Sequence, residues 1–549
     1  MEDAVRGVAV VGAGTMGQGI AQVLVGAGHE VLWYDAEFAA VERAVQAVGK
    51  RLERLVEKGR LSEAERAAAV GRLTPARELV ELADVRLVVE AIVERAEAKE
   101  RLFAALEDIV AADCLLATNT SSLSVTAVAG GLRHPGRCLG LHFFNPAPLL
   151  PLVEVVSGFR TDPVVTERAR GLVTSLGKTA VRCADTPGFL VNRVARPFYA
   201  EAFRAYEERA ATPATLDAVL RESGGFRMGP FELTDLIGQD VNEAVTRSVW
   251  EAFFQDPKFT PSLAQCRLVQ SGRLGRKSGH GWYDHGETAG PAGAAAASSI
   301  PDTVPSAPAP RSVTVRGDLG PAAVLPALMA EAGLPVRYSA ACGSTSEVAR
   351  HGAATHPGPP GAGSRGIAGR GDVGPGQVGA EETLPGGGVL ELPGGAWLRL
   401  ADGSVPESPY VHFDLALDYR QATRIALAPA EGVSEGALRE AAGLFQALGK
   451  QVSVLGPLPG MIVARTVAML ADLAADAEGR QVATAEDIDT ALRSGANYPR
   501  GPLEWAAELG VDWVVRVLRG LHAEYPNGRY APSRFLTRRG TTGRADARR

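Results

Sequence analysis

The sequence predicts an α/β domain followed by an all-α domain, then a degenerate second copy of the pair whose α/β part is reduced. Three observations carry this expectation. Residues 1–185 alternate short apolar runs with helical patterns, whereas 186–284 lose the strand signals and read as helices with starts such as Thr212-Pro213. The segment LGKTAVRCADTPGFLVNR, from position 176, returns as LGKQVSVLGPLPGMIVAR from 448. Pro187-Gly188 matches Pro459-Gly460, Arg193 matches Arg465, Asp217 matches Asp489, and Gly229-Pro230 matches Gly501-Pro502, every pair 272 residues apart. Finally, 549 residues exceed one ordinary core and fit three or four domains of about 150 residues each.

Taken in order, strands are expected at 7–11, 31–35, 86–90, 114–118, 138–143, 152–156 and 179–183. Several are apolar without alternation, as in strands covered on both faces. Between the second and third of these lies a long helix, 37–58, which Gly59 can close; Ser62 with Glu65 three residues on can cap another. Residues 285–311, rich in Ala, Gly, Ser and Pro, read as a linker in which little can pack. Residues 312–456 read as the reduced α/β copy, because VTVRGDLGPAAVLPALMAEAGLPVRY echoes the start of the chain without its full glycine pattern. Within it, 351–388 read as a Gly-rich disordered insertion. Residues 457–549 read as the second helical domain, with a loose basic tail from Arg538. These helices are expected to pack against those of the first copy as a pseudo-dimer inside one chain. Whether whole chains then pair as a homodimer is a separate question.

Composition removes several function classes. The net charge is −6 and the pI near 6.0, against a nucleic-acid binder, which needs a basic face for phosphates. Hydrophobic residues at 46% and charged residues at 22% fit a globular chain. The five cysteines, at 114, 138, 183, 266 and 342, form no CxxC and no cluster with metal-ligand spacing. They read as reduced thiols of a cytoplasmic protein, with no metal site. The start, MEDAVRGVAVVG, is acidic and runs into a strand, unlike a secretory signal. The most apolar stretch, 8–34, is broken by Gln18, Gln22, His29 and Glu30, so no membrane span is expected.

The first strand runs into GAGTMG. Gly12 permits the tight turn, Gly14 lets the backbone approach a pyrophosphate, and Gly17 lets the following helix pack closely on the strand. Thr15 and Met16 lie in the same turn. The phosphates would sit on free N–H groups at the positive end of the helix. Asp35, eighteen residues after Gly17, can accept both ribose hydroxyls and repels a 2′-phosphate, so the cofactor expected is NAD on a Rossmann-type domain. A glycine turn without cofactor is the bland alternative.

Residues 114–192 place polar groups at strand ends: Asn119, Thr120, Ser121 and Ser122, then LHFFNPAPLLPLVEVV, then DTPGFLVNR. The carboxyl edge of a parallel sheet is where such folds hold ligands. His142 ends one apolar run and Glu154 lies in the next. A histidine there can serve as a base near neutral pH, and a nearby carboxylate can orient it. Spacing alone does not pair them.

The combination of VVGAGTMGQGIAQ, VVEAIVE, TNTSSL, GLHFFNP, LVEVV, DTPGFLVNR, MGPFEL and GRKSGHGWYD resembles the 3-hydroxyacyl-CoA dehydrogenase family over residues 5–284. The repeat extends the likeness to bacterial two-copy members that act on 3-hydroxybutyryl-CoA or 3-hydroxyadipyl-CoA. The resemblance implies NAD-dependent oxidation of a 3-hydroxyacyl-CoA, in fatty-acid or phenylacetate catabolism. It implies that His142 is the general acid/base, that Glu154 pairs with it, and that Ser121 and Asn192 hold the substrate oxygen. It places Glu94, Lys99, Ser121 and Asn145 against the cofactor beside Asp35, with Asn119 in the same group. The 37–58 segment fits the family's helical insertion that meets CoA; there Lys50, Arg51, Arg54 and Lys58 suit its phosphates, or else form a solvated face paired with Glu53 and Glu57.

The second copy departs from the pattern. Asn192 maps to Ala464, Glu154 to Ala426 and His142 to Asp414, and no G-x-G-x-x-G is present. One active site per chain is expected, with the second copy as scaffold. Two other readings stay open at this point: a non-catalytic protein on the same fold, and an NAD(P)-linked enzyme acting on a small 3-hydroxy acid without CoA.

Overall fold

The computed structural model describes residues 7–286, 300–339 and 387–546. The first sheet has eight strands: β1 (Val8–Val11), β2 (Val31–Tyr34), β3 (Leu73–Ala76), β4 (Leu87–Glu90), β5 (Leu115–Thr118), β6 (Cys138–Phe143), β7 (Leu152–Ser157) and β8 (Thr179–Ala184). Their order is β3-β2-β1-β4-β5-β6-β7-β8, and every neighbouring pair is parallel except β6–β7. The chain winds outward from β1 through β2 to β3, then returns to the other side of β1 with β4. That reversal opens a crevice at the carboxyl ends of β1 and β4, where such sheets bind ligands. The central strands are fully buried, as their unbroken apolar runs require.

Seven of the eight strands lie within a residue of the expected spans. β3 was not expected: its sequence, LTPA, has a proline and no apolar run, which suits only an edge strand, and it lies at the edge. The long helix runs Phe38–Glu57 and ends before Gly59, whose φ of 65° no ordinary side chain favours. Ser62 and Glu65 form the expected reciprocal cap of the helix Glu63–Gly71. Residues 187–283 are helical, with no strand longer than isolated bridges.

The second sheet has seven strands: β9 (Val313–Arg316), β10 (Val336–Ser339), β11 (Val389–Glu391), β12 (Trp397–Leu400), β13 (Tyr410–Phe413), β14 (Arg424–Pro429) and β15 (Gln451–Val454), in the order β10-β9-β11-β12-β13-β14-β15. It is mixed, with antiparallel pairs at β9–β11, β11–β12 and β13–β14. The 272-residue offset persists in the backbone. Phe189 and Met461 share a φ of 49°, and Arg209 and Gln481 share 59°. Asp217 accepts from the N–H groups of Phe231 and Glu232, and Asp489 from those of Leu503 and Glu504.

The two helical units meet through equivalent helices, Arg196–Glu207 against Val463–Gly479. Arg193 donates to Asp476 at 2.9 Å and lies over the Phe253 ring; its counterpart Arg465 donates to Glu201 at 2.9 Å and lies over the Tyr525 ring. Glu201, fully buried, also accepts from Arg529 and Tyr530. Burial pushes its carboxyl up, but the charges of Arg529 and Arg465 outweigh this and hold it at about 2.

Two expectations change. Of the expected linker, 287–299 lies outside the described residues, but 300–311 is packed rather than loose. Val304 donates to the Val452 carbonyl, Ala307 to the Gln446 side chain, and Gly443 leaves room for the backbone of Pro308. Its Ala/Pro composition signals weak packing of its own, yet partners on the second copy supply the hydrogen bonds. The tail from Arg538 belongs to a helix, Arg534–Asp546, which the ion pair Arg539–Glu478 ties to the helix Val463–Gly479. The Gly-rich insertion lies outside the described residues apart from Gly387 and Gly388.

Candidate active site

β1 ends at Val11, and Gly12 turns the chain with a φ of 113°; a Cβ there would meet the Ala91 carbonyl at 2.4 Å. Gly17, in the helix Thr15–Gly26, lies so close to Gly12 that a Cβ would be 2.0 Å from the Gly12 oxygen. Gly14, by contrast, faces open space. The loop therefore presents bare backbone and a helix N-terminus to the crevice, the cradle a diphosphate needs. Asp35 stands at the end of β2, its carboxylate fixed by the N–H groups of Ala13 at 2.8 Å and Glu37 at 3.0 Å.

The crevice is a cleft of about 1010 Å³. Its wall gathers Gly12, Gly14, Thr15, Met16, Asp35, Glu94, Asn119, Ser121, His142, Asn145 and Asn192. The sequence scattered these residues over 181 positions; strand ends bring them together. Lys99 is not on the wall. It is buried behind it, bonded to Glu90 at 2.5 Å and paired with Glu94 at 3.3 Å, so its link to the cleft runs through Glu94, which is on the wall. Glu94 accepts from Thr120 Oγ1 at 2.6 Å and from the N–H groups of Ser121 and Ser122. Burial raises the Glu94 carboxyl, but these bonds and the Lys99 charge outweigh it, and the net is below the ordinary carboxylate range. Asn119 Oδ1 accepts from the Phe143 N–H, which leaves its NH₂ group for the cleft.

β6 and β7 are the one antiparallel pair of this sheet, and their register sets His142 opposite Glu154. His142 Nδ1 lies 2.6 Å from Glu154 Oε2. His142 is 5% exposed and Glu154 fully buried. The other oxygen of Glu154 accepts from the N–H groups of Val191 at 2.8 Å and Leu190 at 3.2 Å, at the start of the helix that carries Asn192. One carboxylate thus fixes both the imidazole and the approach of the helical unit. The rings of Phe144 and Phe189 flank the imidazole at 4.5 and 5.6 Å. With Nδ1 engaged, Nε2 is the nitrogen left for proton exchange.

Lys50, Arg54 and Lys58 lie away from this wall, exposed on one face of the helix Phe38–Glu57 and its C-terminal cap. None has an ion-pair partner among the described residues, Glu53 and Glu57 included. Arg51 instead turns inward to Gln18.

In the second copy the corresponding strands β13 and β14 pair in the same sense, and the Asp414 N–H donates to the Ala426 carbonyl. Asp414 accepts from the N–H groups of Ile462, Val463 and Ala464. Ile462 and Val463 correspond to Leu190 and Val191, so one aspartate does the structural part of Glu154's work from the histidine's position. Burial pushes its carboxyl up to about 6, against these hydrogen bonds.

Comparison with known proteins agrees with this geometry. The family model for the 3-hydroxyacyl-CoA dehydrogenase NAD binding domain matches residues 7–186, and that for the C-terminal domain of the same family matches 188–285 and again 460–548. The chain belongs to the 3-hydroxyacyl-CoA dehydrogenase family. It is an NAD-dependent oxidoreductase. Between the two helical matches, residues 399–459 match the 3-hydroxybutyryl-CoA dehydrogenase reduced Rossmann-fold domain. The 3-hydroxyadipyl-CoA dehydrogenase of Escherichia coli is 40% identical over 537 residues, 97% of each chain. The 3-hydroxybutyryl-CoA dehydrogenase of Mycobacterium tuberculosis is 41% identical and covers 52% of this chain with all of its own length. A crystal structure of 3-hydroxybutyryl-CoA dehydrogenase from E. coli covers 98% of both chains with a TM-score of 0.80. Among the described residues, no helix is long and apolar enough to cross a membrane.

Sequence reasoning gave no role to Glu90, Thr120 or Arg196. Glu90 stands at the end of β4, where a carboxylate in an apolar run signals a buried partner, here Lys99 and Thr118. Arg196 follows Asn192 by one helical turn, and that spacing was a usable signal.

Proposed function

We propose that the chain interconverts 3-hydroxyacyl-CoA and 3-oxoacyl-CoA at one site, with 3-hydroxybutyryl-CoA or 3-hydroxyadipyl-CoA as substrate, in fatty-acid or phenylacetate catabolism in the cytoplasm. The observation that carries this is the buried His142–Glu154 pair, 2.6 Å apart, whose histidine lies on the wall of the cleft that the glycine loop opens. Bound NAD supplies the acceptor for the hydride that leaves C3. His142 takes the hydroxyl proton at Nε2, and Glu154 stabilises the imidazolium so formed. The Ser121 hydroxyl and the Asn192 amide hold the substrate oxygen. In the reverse direction they donate to the developing alkoxide while His142 returns the proton. Phe144 and Phe189 keep water from the imidazole, which strengthens each of these interactions. Gly12, Gly14 and Gly17 shape the diphosphate cradle, with Thr15 and Met16 beside it; Asp35 takes the ribose, and Asn119 and Asn145 complete the wall. Lys99 acts from behind, holding Glu94. Lys50, Arg54 and Lys58, without ion-pair partners among the described residues, take the phosphates of CoA.

The test is NADH oxidation by the purified protein with acetoacetyl-CoA, beside His142→Gln. Turnover that disappears in the variant is expected. No turnover of acetoacetyl-CoA or longer esters by a folded, NADH-binding wild type would refute the assignment.

A further inference from the structure

Among the described residues six arginines are buried: Arg137, Arg193, Arg196, Arg424, Arg465 and Arg529. Five of them have a carboxylate within ion-pair distance among the described residues. Arg196, 4% exposed, has none. Its three hydrogen bonds go to neutral acceptors: Nε to the Asn192 carbonyl at 2.8 Å, Nη2 to Asn192 Oδ1 at 3.3 Å, and Nη1 to Thr246 Oγ1 at 3.1 Å. An uncompensated buried charge is strongly unfavourable, and proteins otherwise pair it. Burial accordingly pulls this guanidinium below its ordinary range.

Its place in the fold says what is missing. Asn192, Arg196 and Tyr199 follow one another at spacings of four and three, along one face of successive helical turns. Asn192 is on the cleft wall with His142; Arg196 lies one turn further in, with its guanidinium 5.0 Å from the Tyr199 ring centre. The helix Gln239–Ala252 covers the other side, giving Val241 to the cleft and Thr246 to Arg196. A second unsatisfied group is close by. Tyr498, from the second copy, is 6% exposed, its hydroxyl has no hydrogen-bond partner among the described residues, and its ring packs on Phe198 at 5.6 Å, as the ring of Tyr199 does at 5.4 Å. A buried cation with no carboxylate and a buried hydroxyl with no partner among the described residues thus lie behind the cleft wall, the cation bonded directly to Asn192.

We propose that the end of the cleft at Asn192 opens to receive the terminal carboxylate of a dicarboxylic 3-hydroxyacyl-CoA, with Arg196 as its counter-ion and Tyr498 as a further donor. The inference rests on the proposed function, in which Asn192 holds the oxygen on C3. The thioester leaves C3 on one side and the rest of the acyl chain on the other. A carboxylate three carbons beyond C3, as in a six-carbon diacid, then comes within reach of a guanidinium whose Nη2 is 3.3 Å from Asn192 Oδ1. Arg196 is a specificity-determining residue in this scheme and also fixes the Asn192 amide, so its two roles must be separated experimentally.

The experiment compares kcat and KM, with NADH, for acetoacetyl-CoA, 3-oxohexanoyl-CoA and 3-oxoadipyl-CoA. The latter two have equal chain length and differ in the terminal carboxylate. Wild type is expected to favour 3-oxoadipyl-CoA over 3-oxohexanoyl-CoA by about 30-fold in kcat/KM, the scale of one charged hydrogen-bonded contact. Arg196→Met should abolish this ratio, mostly through the KM for 3-oxoadipyl-CoA. Arg196→Lys should restore part of it, and Tyr498→Phe, a milder change, should reduce it about fivefold. Equal use of both esters by wild type would overturn the proposal. So would an equal loss on both in Arg196→Met together with an unchanged ratio in Tyr498→Phe, because Arg196 would then serve only to position Asn192. Failure with all three esters would instead bring down the proposed function itself.

Discussion

Replacing Glu154 by Gln tests the chemistry at its most constrained point. The substitution keeps the volume of a fully buried side chain and removes its charge. The N–H groups of Val191 and Leu190 demand an acceptor, so the amide oxygen must keep the place of Oε1. The NH₂ group then faces His142 Nδ1 across the distance now bridged at 2.6 Å. Nδ1 becomes an acceptor, the ring proton moves to Nε2, and the imidazole can no longer take a proton there. A lost hydrogen bond to a charged group is worth about 1.5–3 kcal/mol. At about 1.4 kcal/mol per tenfold, this alone lowers kcat by about 10- to 100-fold. The wrong tautomer adds to it, for a total of about 10³-fold. The assay is steady-state NADH oxidation with a saturating 3-oxoacyl-CoA, and urea unfolding verifies the fold. A variant with native stability and kcat within about threefold of wild type would refute the role given to Glu154.

Three further outcomes follow from the geometry. Gly14→Ala, whose Cβ meets nothing, should leave stability unchanged yet weaken NADH binding by about tenfold or more, as read by fluorescence titration; Gly17→Ala, with a Cβ 2.0 Å from the Gly12 oxygen, should lose both. The triple Ala variant of Lys50, Arg54 and Lys58 should raise the KM for CoA esters about tenfold at low salt, leave kcat near its wild-type value, and leave a short thioester without the nucleotide unaffected. Asp414 has its folded pKa raised from 3.8 to about 6, so its favourable contribution is complete below the lower value and is lost as pH rises through the higher. The unfolding free energy of wild type relative to Asp414→Asn should accordingly fall by up to about 3 kcal/mol between pH 4 and pH 7, with a flat difference as the contrary result.

The strands were legible where an apolar run met a glycine turn, as at β1, and illegible where the edge of the sheet removed the need for one, as at β3. His142 and Glu154 were both visible as polar residues in apolar runs, but their pairing depends on β6 and β7 being antiparallel. Twelve residues of sequence separation do not state that. Lys99 was placed against the cofactor by resemblance alone; its burial depends on Glu90, which faces its helix from the end of β4. The segment 300–311 shows the same limit from the opposite side, since its order comes from Gln446 and Val452. Contacts between the two copies, such as Arg465 with Glu201, were foreseen only as a packing of helices.

The covalent joining of the two helical units changes the rules under which their shared surface varies. When two identical chains meet about a twofold axis, every substitution appears twice, and a residue must suit both of its settings. Here the equivalents have parted: Arg193 answers Asp476, while Arg465 answers Glu201, which Arg529 and Tyr530 also engage. Dilution cannot separate the halves, because their encounter is intramolecular. Tyr498 occupies the position of Phe226, yet only the later copy carries the hydroxyl. A fused pair can keep one half for chemistry and let the other acquire groups that a symmetric dimer would be obliged to place in both.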